Sequence, residues 1–174
     1  IHGTLYDYQP QAITPVEEIA AAREEIIKDS TLSFITWNLG FGGLGAKSNF
    51  FYDNGDVLFS NGRMVRSSEE LVKEYNAGIE QFLMQTKADF FLLQEVDVAS
   101  RRSYYTDQFT NIQTIKPDYT AAFAANYKVP RVPVPVLEPW DAYGRTHSGL
   151  ATYSRFQPRE STRYQLPGDH PWPT

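Results

Sequence analysis

Phe90-Phe91-Leu92-Leu93-Gln94-Glu95-Val96-Asp97 is the stretch on which the reading of this chain turns. Four apolar residues in an unbroken run, introduced by Ala88-Asp89, are too short for a helix and read as a strand buried on both faces. The strand ends on a carboxylate, Glu95, and open α/β sheets place their sites at the C-terminal ends of their strands. Carboxylates are seldom fully buried unless paired or metal-bound. Read by itself, Glu95 is equally an acid that turns into solvent.

Outward toward the N-terminus, residues 68–87 predict a helix. Ser67 and Glu70 form a capping box, and Leu71, Tyr75, Ile79, Phe82 and Leu83 make one apolar stripe. Before it, Leu32-Ser33-Phe34-Ile35-Thr36-Trp37-Asn38 is β-rich and runs into the glycines of 40–45. Strand, helix, buried strand is a βαβ-like order, so an α/β layered domain is expected. Asn38 then occupies on the first strand the address that Glu95 has on the second. Its amide can orient a phosphate oxygen or a carboxylate without adding charge, or simply open the glycine turn.

Further out the signals weaken. Residues 1–11 show no period and read as an arm. Thr14-Pro15-Val16-Glu17 reads as a helix start, with Thr14 as N-cap and Pro15 at the first helical position, the helix running to about Lys28. Asp53-Asn54-Gly55 and Asn61-Gly62 are turns. Residues 119–127 and 149–156 are strand candidates. The proline-rich residues 129–139 are irregular or an edge, and the tail from Gln157 is loop-like.

Composition narrows the function classes. The 174 residues are 41% hydrophobic and 14% aromatic, ample for a packed core. The chain has no cysteine, which excludes disulfides and thiolate metal sites. No apolar run approaches the roughly 18–20 residues of a membrane span. Net charge is -5, with -8 over residues 1–97 and +3 over residues 98–174. Such a chain lacks the broad basic field of a duplex binder, so stable duplex DNA binding is not expected.

Three motifs in order carry a resemblance. Trp37-Asn38 closing a strand, Leu93-Gln94-Glu95 closing a second, and His147-Ser148-Gly149-Leu150-Ala151-Thr152-Tyr153-Ser154-Arg155 as a later strand together resemble the endonuclease/exonuclease/phosphatase family. The resemblance covers residues 31–156 and divides the chain into an N-terminal arm and helix, 1–30, and the N-terminal half of such a domain, 31–174. It implies a DNase-like four-layer α/β sandwich of two mixed sheets flanked by helices, here incomplete. It also implies hydrolysis of phosphate esters, whether by a phosphodiesterase, a nuclease or a lipid or inositol phosphatase.

Carried over position by position, the resemblance makes Asn38 and Glu95 the catalytic pair. Glu95 becomes a ligand of Mg²⁺, with Mn²⁺ the substitute, and Asn38 belongs to the same metal site and helps position the phosphate. Arg102, in the basic, tyrosine-containing loop 97–104, becomes a candidate to fork onto phosphate, although a solvated charged loop reads as well. His147 is a candidate substrate contact at the start of its strand, against the plainer reading of a surface histidine. Asn126 is a candidate of the same kind. The acidic charge and the aromatics Phe50-Phe51-Tyr52, read as exposed, favour a lipid or small phosphate ester over nucleic acid. Subgroup resemblance further implies a bacterial protein outside the cytoplasm or tethered to a membrane.

Two motifs are set aside. Gly40-Phe41-Gly42-Gly43-Leu44-Gly45 satisfies a dinucleotide fingerprint, but no helical stripe follows to hold a pyrophosphate; the glycines read as a flexible loop. Asp169-His170 resembles the family's terminal pair but follows Leu166-Pro167-Gly168 rather than a strand, so residues 165–174 read as a mid-domain loop. The remaining catalytic groups are expected beyond Thr174 or on a separate chain. The competing reading is a binding domain that kept the fold and lacks the chemistry.

Overall fold

The computed structural model describes residues 8–21, 31–54 and 56–167. Its elements are strands β1 (Ile13–Pro15), β2 (Glu18–Ile19) and β3 (Phe34–Asn38), helix α1 (Glu69–Gln85), strand β4 (Phe90–Asp97), helix α2 (Gln108–Ile115), and strands β5 (Thr120–Val132), β6 (Gly144–Ser154) and β7 (Thr162–Tyr164). Five strands form one sheet in the order β2-β5-β6-β4-β3, and β1 pairs with β7 in a second, two-stranded sheet. Among the described strands only β3 and β4 are parallel, joined by the crossover through α1; the other strand pairings are antiparallel. The architecture is mixed α/β with two sheets, consistent with an incomplete DNase-like sandwich.

Helices α1 and α2 cover one face of the large sheet. The core there is built from Phe91, Leu93, Val96, Ala151 and Tyr153 of the sheet against Ile79, Leu83 and Ile112 of the helices. The described residues leave the opposite face open. Phe34 is 57% and Leu150 45% exposed on it, and Phe34 stacks on Phe90 with ring centroids 4.7 Å apart. The strand 90–97 is therefore not buried on both faces as expected; Phe91 and Leu93 are buried while Phe90 and Leu92 are half-covered.

Several local expectations are corrected by tertiary pairing. The helix expected from Thr14 is not formed at its start: Ile13–Pro15 and Glu18–Ile19 are strands, the first paired with Thr162–Tyr164 and the second with β5. Pairing with distant strands supplies these residues with ladder hydrogen bonds, and a local capping signal carries no information about such partners. Residues 1–7 and 22–30 lie outside the described residues. The same pairing makes the tail a strand at 162–164 rather than loop throughout. Residues 168–174, with Asp169 and His170, lie outside the described residues.

The cap of α1 is Ser68, whose hydroxyl accepts the Leu71 N–H at 3.3 Å, one position later than expected. Ser67 is buried and donates to Gly43 O at 2.6 Å. The inward stripe is correspondingly Val72, Asn76, Ile79 and Leu83; Phe82 is 46% exposed and meets Trp37 edge-on at 5.2 Å. Strand β5 continues through Pro130 to Val132, its register shifting between Val129 and Val132. The irregularity accommodates a residue that cannot donate to the ladder. The Asn61-Gly62 turn forms with φ of 53° and 73° at its two residues. Phe50 and Phe51 are 4% and 1% exposed, so neither belongs to a solvent-facing aromatic surface; the Tyr52 side chain lies outside the described part.

Candidate active site

Because β3 and β4 run parallel, their C-terminal ends share one edge, with Asn38 in register with Gln94. Strict alternation along β4 would send Glu95 to the helical side, after Phe91 and Leu93. A bulge prevents this. Between the pairs Leu93↔Ala151 and Val96↔Gly149, β4 has two intervening residues where β6 has one. Glu95 absorbs the extra residue with φ +53°, the left-handed region disfavoured for a side chain with a Cβ. Val96, 0% exposed, then takes the core position and Glu95 turns toward Asn38. The strain sits on the residue that brings its carboxylate to Asn38.

The two side chains meet directly. Asn38 Nδ2 donates to Glu95 Oε1 at 2.9 Å, and Asn38 Oδ1 accepts the Gly40 N–H at 2.8 Å. A flipped amide would oppose two donors on one side and two acceptors on the other, so these partners fix its orientation. The main chain follows, Leu39 N–H donating to Gln94 O at 2.9 Å. Gly40 has φ +53°, and a Cβ there would lie 2.8 Å from Leu44 Cβ.

The glycine stretch is a packed turn. Gly40–Gly42 is a single 3-10 turn whose residues are buried, and no α-helix opens on it. The dinucleotide fingerprint therefore has no helix N-terminus here. A cleft lined by Asn38, Gly40, Leu44, Glu74 and Tyr75 runs between this turn and α1 but does not include Glu95.

The other candidates occupy different surroundings. The Arg102 guanidinium engages Asp97, its Nε donating to Oδ2 at 3.1 Å and its Nη2 to Oδ1 at 3.0 Å. Its carbon stands 3.9 Å from the centroid of the Phe41 ring. His147 is the fourth residue of β6 rather than its first. Its ring meets Phe123 at 5.8 Å, and burial, followed by the cations Lys128 and Arg145, pushes its proton affinity below the ordinary value. Asn126 is exposed at the bulge between Ala125 and Tyr127 in β5. Only Asn38 and Glu95 are joined by a direct hydrogen bond among these five.

Sequence reasoning gave no role to Asp97. It is 0% exposed and also accepts Ser103 Oγ at 2.8 Å, while its N–H donates to Gln108 Oε1 at 2.8 Å. A carboxylate at a strand end with an arginine five positions on was the available signal.

Among the described residues no group of three or more His, Cys, Asp or Glu side chains converges on a point. A single carboxylate still fits Mg²⁺, which is held through one or two carboxylates and keeps several waters. Glu95 suits that part: Asn38 holds Oε1, and Oε2 takes no hydrogen bond among the described residues. No helix among the described residues is long and apolar enough to cross a membrane.

A family model described as Endonuclease/Exonuclease/phosphatase family matches residues 35–172. No curated protein and no solved structure matches the chain.

Proposed function

The chain belongs to the endonuclease/exonuclease/phosphatase family, and from that premise we propose that it hydrolyses phosphate esters with a divalent cation, Mg²⁺ or Mn²⁺, on Glu95. The family supports phosphoester hydrolysis in general. The observation that carries the finer reading is the bulged, left-handed Glu95 held by Asn38 at 2.9 Å. When bound, the cation polarises the phosphoryl group and neutralises charge on the leaving oxygen. Glu95 would hold the cation, its Oε1 being engaged by Asn38 and its Oε2 left without a hydrogen bond among the described residues. The amide keeps one N–H for a phosphate oxygen, since Oδ1 and the other N–H are engaged. His147 and Asn126 are the side chains to test for substrate contact, while the Arg102 guanidinium is engaged by Asp97.

The described residues offer one carboxylate and no evident base for the attacking water. We place the remaining catalytic groups on a segment, of the same or another chain, that packs on the open sheet face. The lone carboxylate also favours a second reading, a binding domain that retains the fold without the chemistry. For substrate class we retain lipid or small phosphate esters over duplex nucleic acid, on the net charge of -5. The buried Phe50 and Phe51 no longer support that choice. Exposed apolar side chains lie instead on two paired loops: Val57 and Leu58 accept backbone N–H groups from Val136 and Leu137 at 3.1 and 3.0 Å. Trp140, 74% exposed, stands beside them in sequence.

The test is hydrolysis of bis(p-nitrophenyl) phosphate and of phospholipid vesicles with and without Mg²⁺ or Mn²⁺, beside Glu95→Gln. Cation-dependent turnover lost in Glu95→Gln supports the enzyme. Absence of turnover in the native molecule, with every co-purifying chain present, leaves the binding-domain reading.

A further inference from the structure

We infer that Arg102 is a positioning residue for the Asn38–Glu95 pair, acting through Phe41 and the glycine turn rather than on substrate. The inference rests on the proposed role of Glu95 for its catalytic consequence, and on geometry for the rest.

Arg102 is held from one side and presses on the other. Its Nε and Nη2 engage the two oxygens of Asp97, which is 0% exposed. Arginine's planar fork matches a carboxylate bidentately, and this fixes the plane of the guanidinium. That plane faces the Phe41 ring at 3.9 Å, a cation–π contact with a partly desolvated cation. Phe41 is 3% exposed with φ +47°, a conformation that the surroundings must impose. Its ring folds back over Gly43, where a Cβ would meet it at 2.3 Å.

The far side of the turn is closed by α1. A Cβ on Gly42 would lie 2.6 Å from Asn76 Nδ2. Asn76 in turn accepts Gln108 Nε2 at 2.7 Å, and Gln108 accepts the Asp97 N–H at 2.8 Å. Asp97 thus grips the turn by two routes, through Arg102 and Phe41 and through Gln108 and Asn76. The clamped turn presents the Gly40 N–H that orients the Asn38 amide, and that amide orients Glu95. Phe41 is bonded directly to Gly40, so a displaced Phe41 backbone carries Gly40 and its N–H with it.

The test reads Asn38 itself in the full chain, without metal or substrate. Side-chain ¹H–¹⁵N signals of Asn38, assigned by their loss in Asn38→Asp, are compared in the native protein, Arg102→Met, Arg102→Lys and Arg155→Met. The last breaks the Arg155–Asp89 pair of 2.9 Å near the start of β4 and controls for general loosening. The Asn38 signals should shift in Arg102→Met, shift less in Arg102→Lys, and stay in place in Arg155→Met. If Arg102→Met does not fold, Arg102→Lys is read against Arg155→Met. Unmoved Asn38 signals in the folded Arg102 variants overturn the inference whether or not Glu95 binds a cation. Where turnover is measurable, kcat should fall roughly ten- to a hundredfold with KM nearly unchanged, as for residues that orient a ligand. A raised KM at constant kcat would instead make Arg102 a substrate contact and overturn the inference.

Discussion

Asn38 and Glu95 are 57 residues apart in sequence and 2.9 Å apart in space, and the hydrogen bond between them exists because Glu95 departs from the regular strand conformation. One extra residue in β4 exchanges the core position between Glu95 and Val96. The Asn38–Glu95 pair is therefore made by a defect in the ladder rather than by its regular part.

The left-handed backbone at Glu95 separates stability from function. Glu95→Gly and Glu95→Ala both remove the carboxylate, but glycine adopts φ +53° without the Cβ penalty. Glu95→Gly should be the more stable of the two by about 1 kcal/mol in urea unfolding. Both should lack cation-dependent turnover. Equal stabilities would show that the bulge is not strained.

Asn38→Ala removes the acceptor of Gly40 N–H and the donor to Glu95 Oε1. We expect a loss of about 1 kcal/mol in stability and of roughly ten- to a hundredfold in Mn²⁺ affinity, read by electron paramagnetic resonance. Unchanged affinity would remove Asn38 from the site.

The Asp97–Arg102 pair has side-chain exposures of 0% and 17%. Asp97→Ala, which leaves the arginine facing a vacated pocket, should cost about 3–5 kcal/mol. Pairing it as Asp97→Leu with Arg102→Met should recover much of that stability without restoring turnover. A double variant as active as the native chain would contradict the positioning role.

His147 is the one histidine among the described residues, and burial against Phe123 with Lys128 and Arg145 nearby lowers its proton affinity. The unfolded chain then binds a proton near the ordinary value of 6.5 that the folded chain binds only at lower pH. Its contribution is complete above that value and declines as pH falls from it toward the lowered folded value. Melting temperature should drop over that interval, and His147→Gln should flatten the drop. An identical profile in His147→Gln would assign the pH dependence elsewhere.

The open sheet face carries Phe34 and Leu150 at 57% and 45% exposure, and such a patch drives association. Sedimentation of residues 1–174 should show concentration-dependent self-association, weakened in a Phe34→Ser, Leu150→Thr variant. A strictly monomeric chain at high concentration would indicate that the face tolerates water.

Sequence by itself determined the βαβ order, the strand of residues 90–97, the α1 helix and the addresses of Asn38 and Glu95. These are local matters: hydrophobic period, length, and residue type at strand ends. The parallel pairing of β3 and β4 then had only to bring two C-terminal ends together. Tertiary structure decided what rests on partners distant in the chain. The capping signal at Thr14 gave way to pairing with residues 162–164, because a local signal carries no information about a partner strand distant in sequence. The bulge at Glu95 exists against β6, and no property of the strand's own residues encodes where the partner strand falls short by one. Arg102 read equally as a phosphate contact or a solvated loop charge, and its pairing with the buried Asp97 was not legible, since a charge's partners depend on what the fold sets beside it.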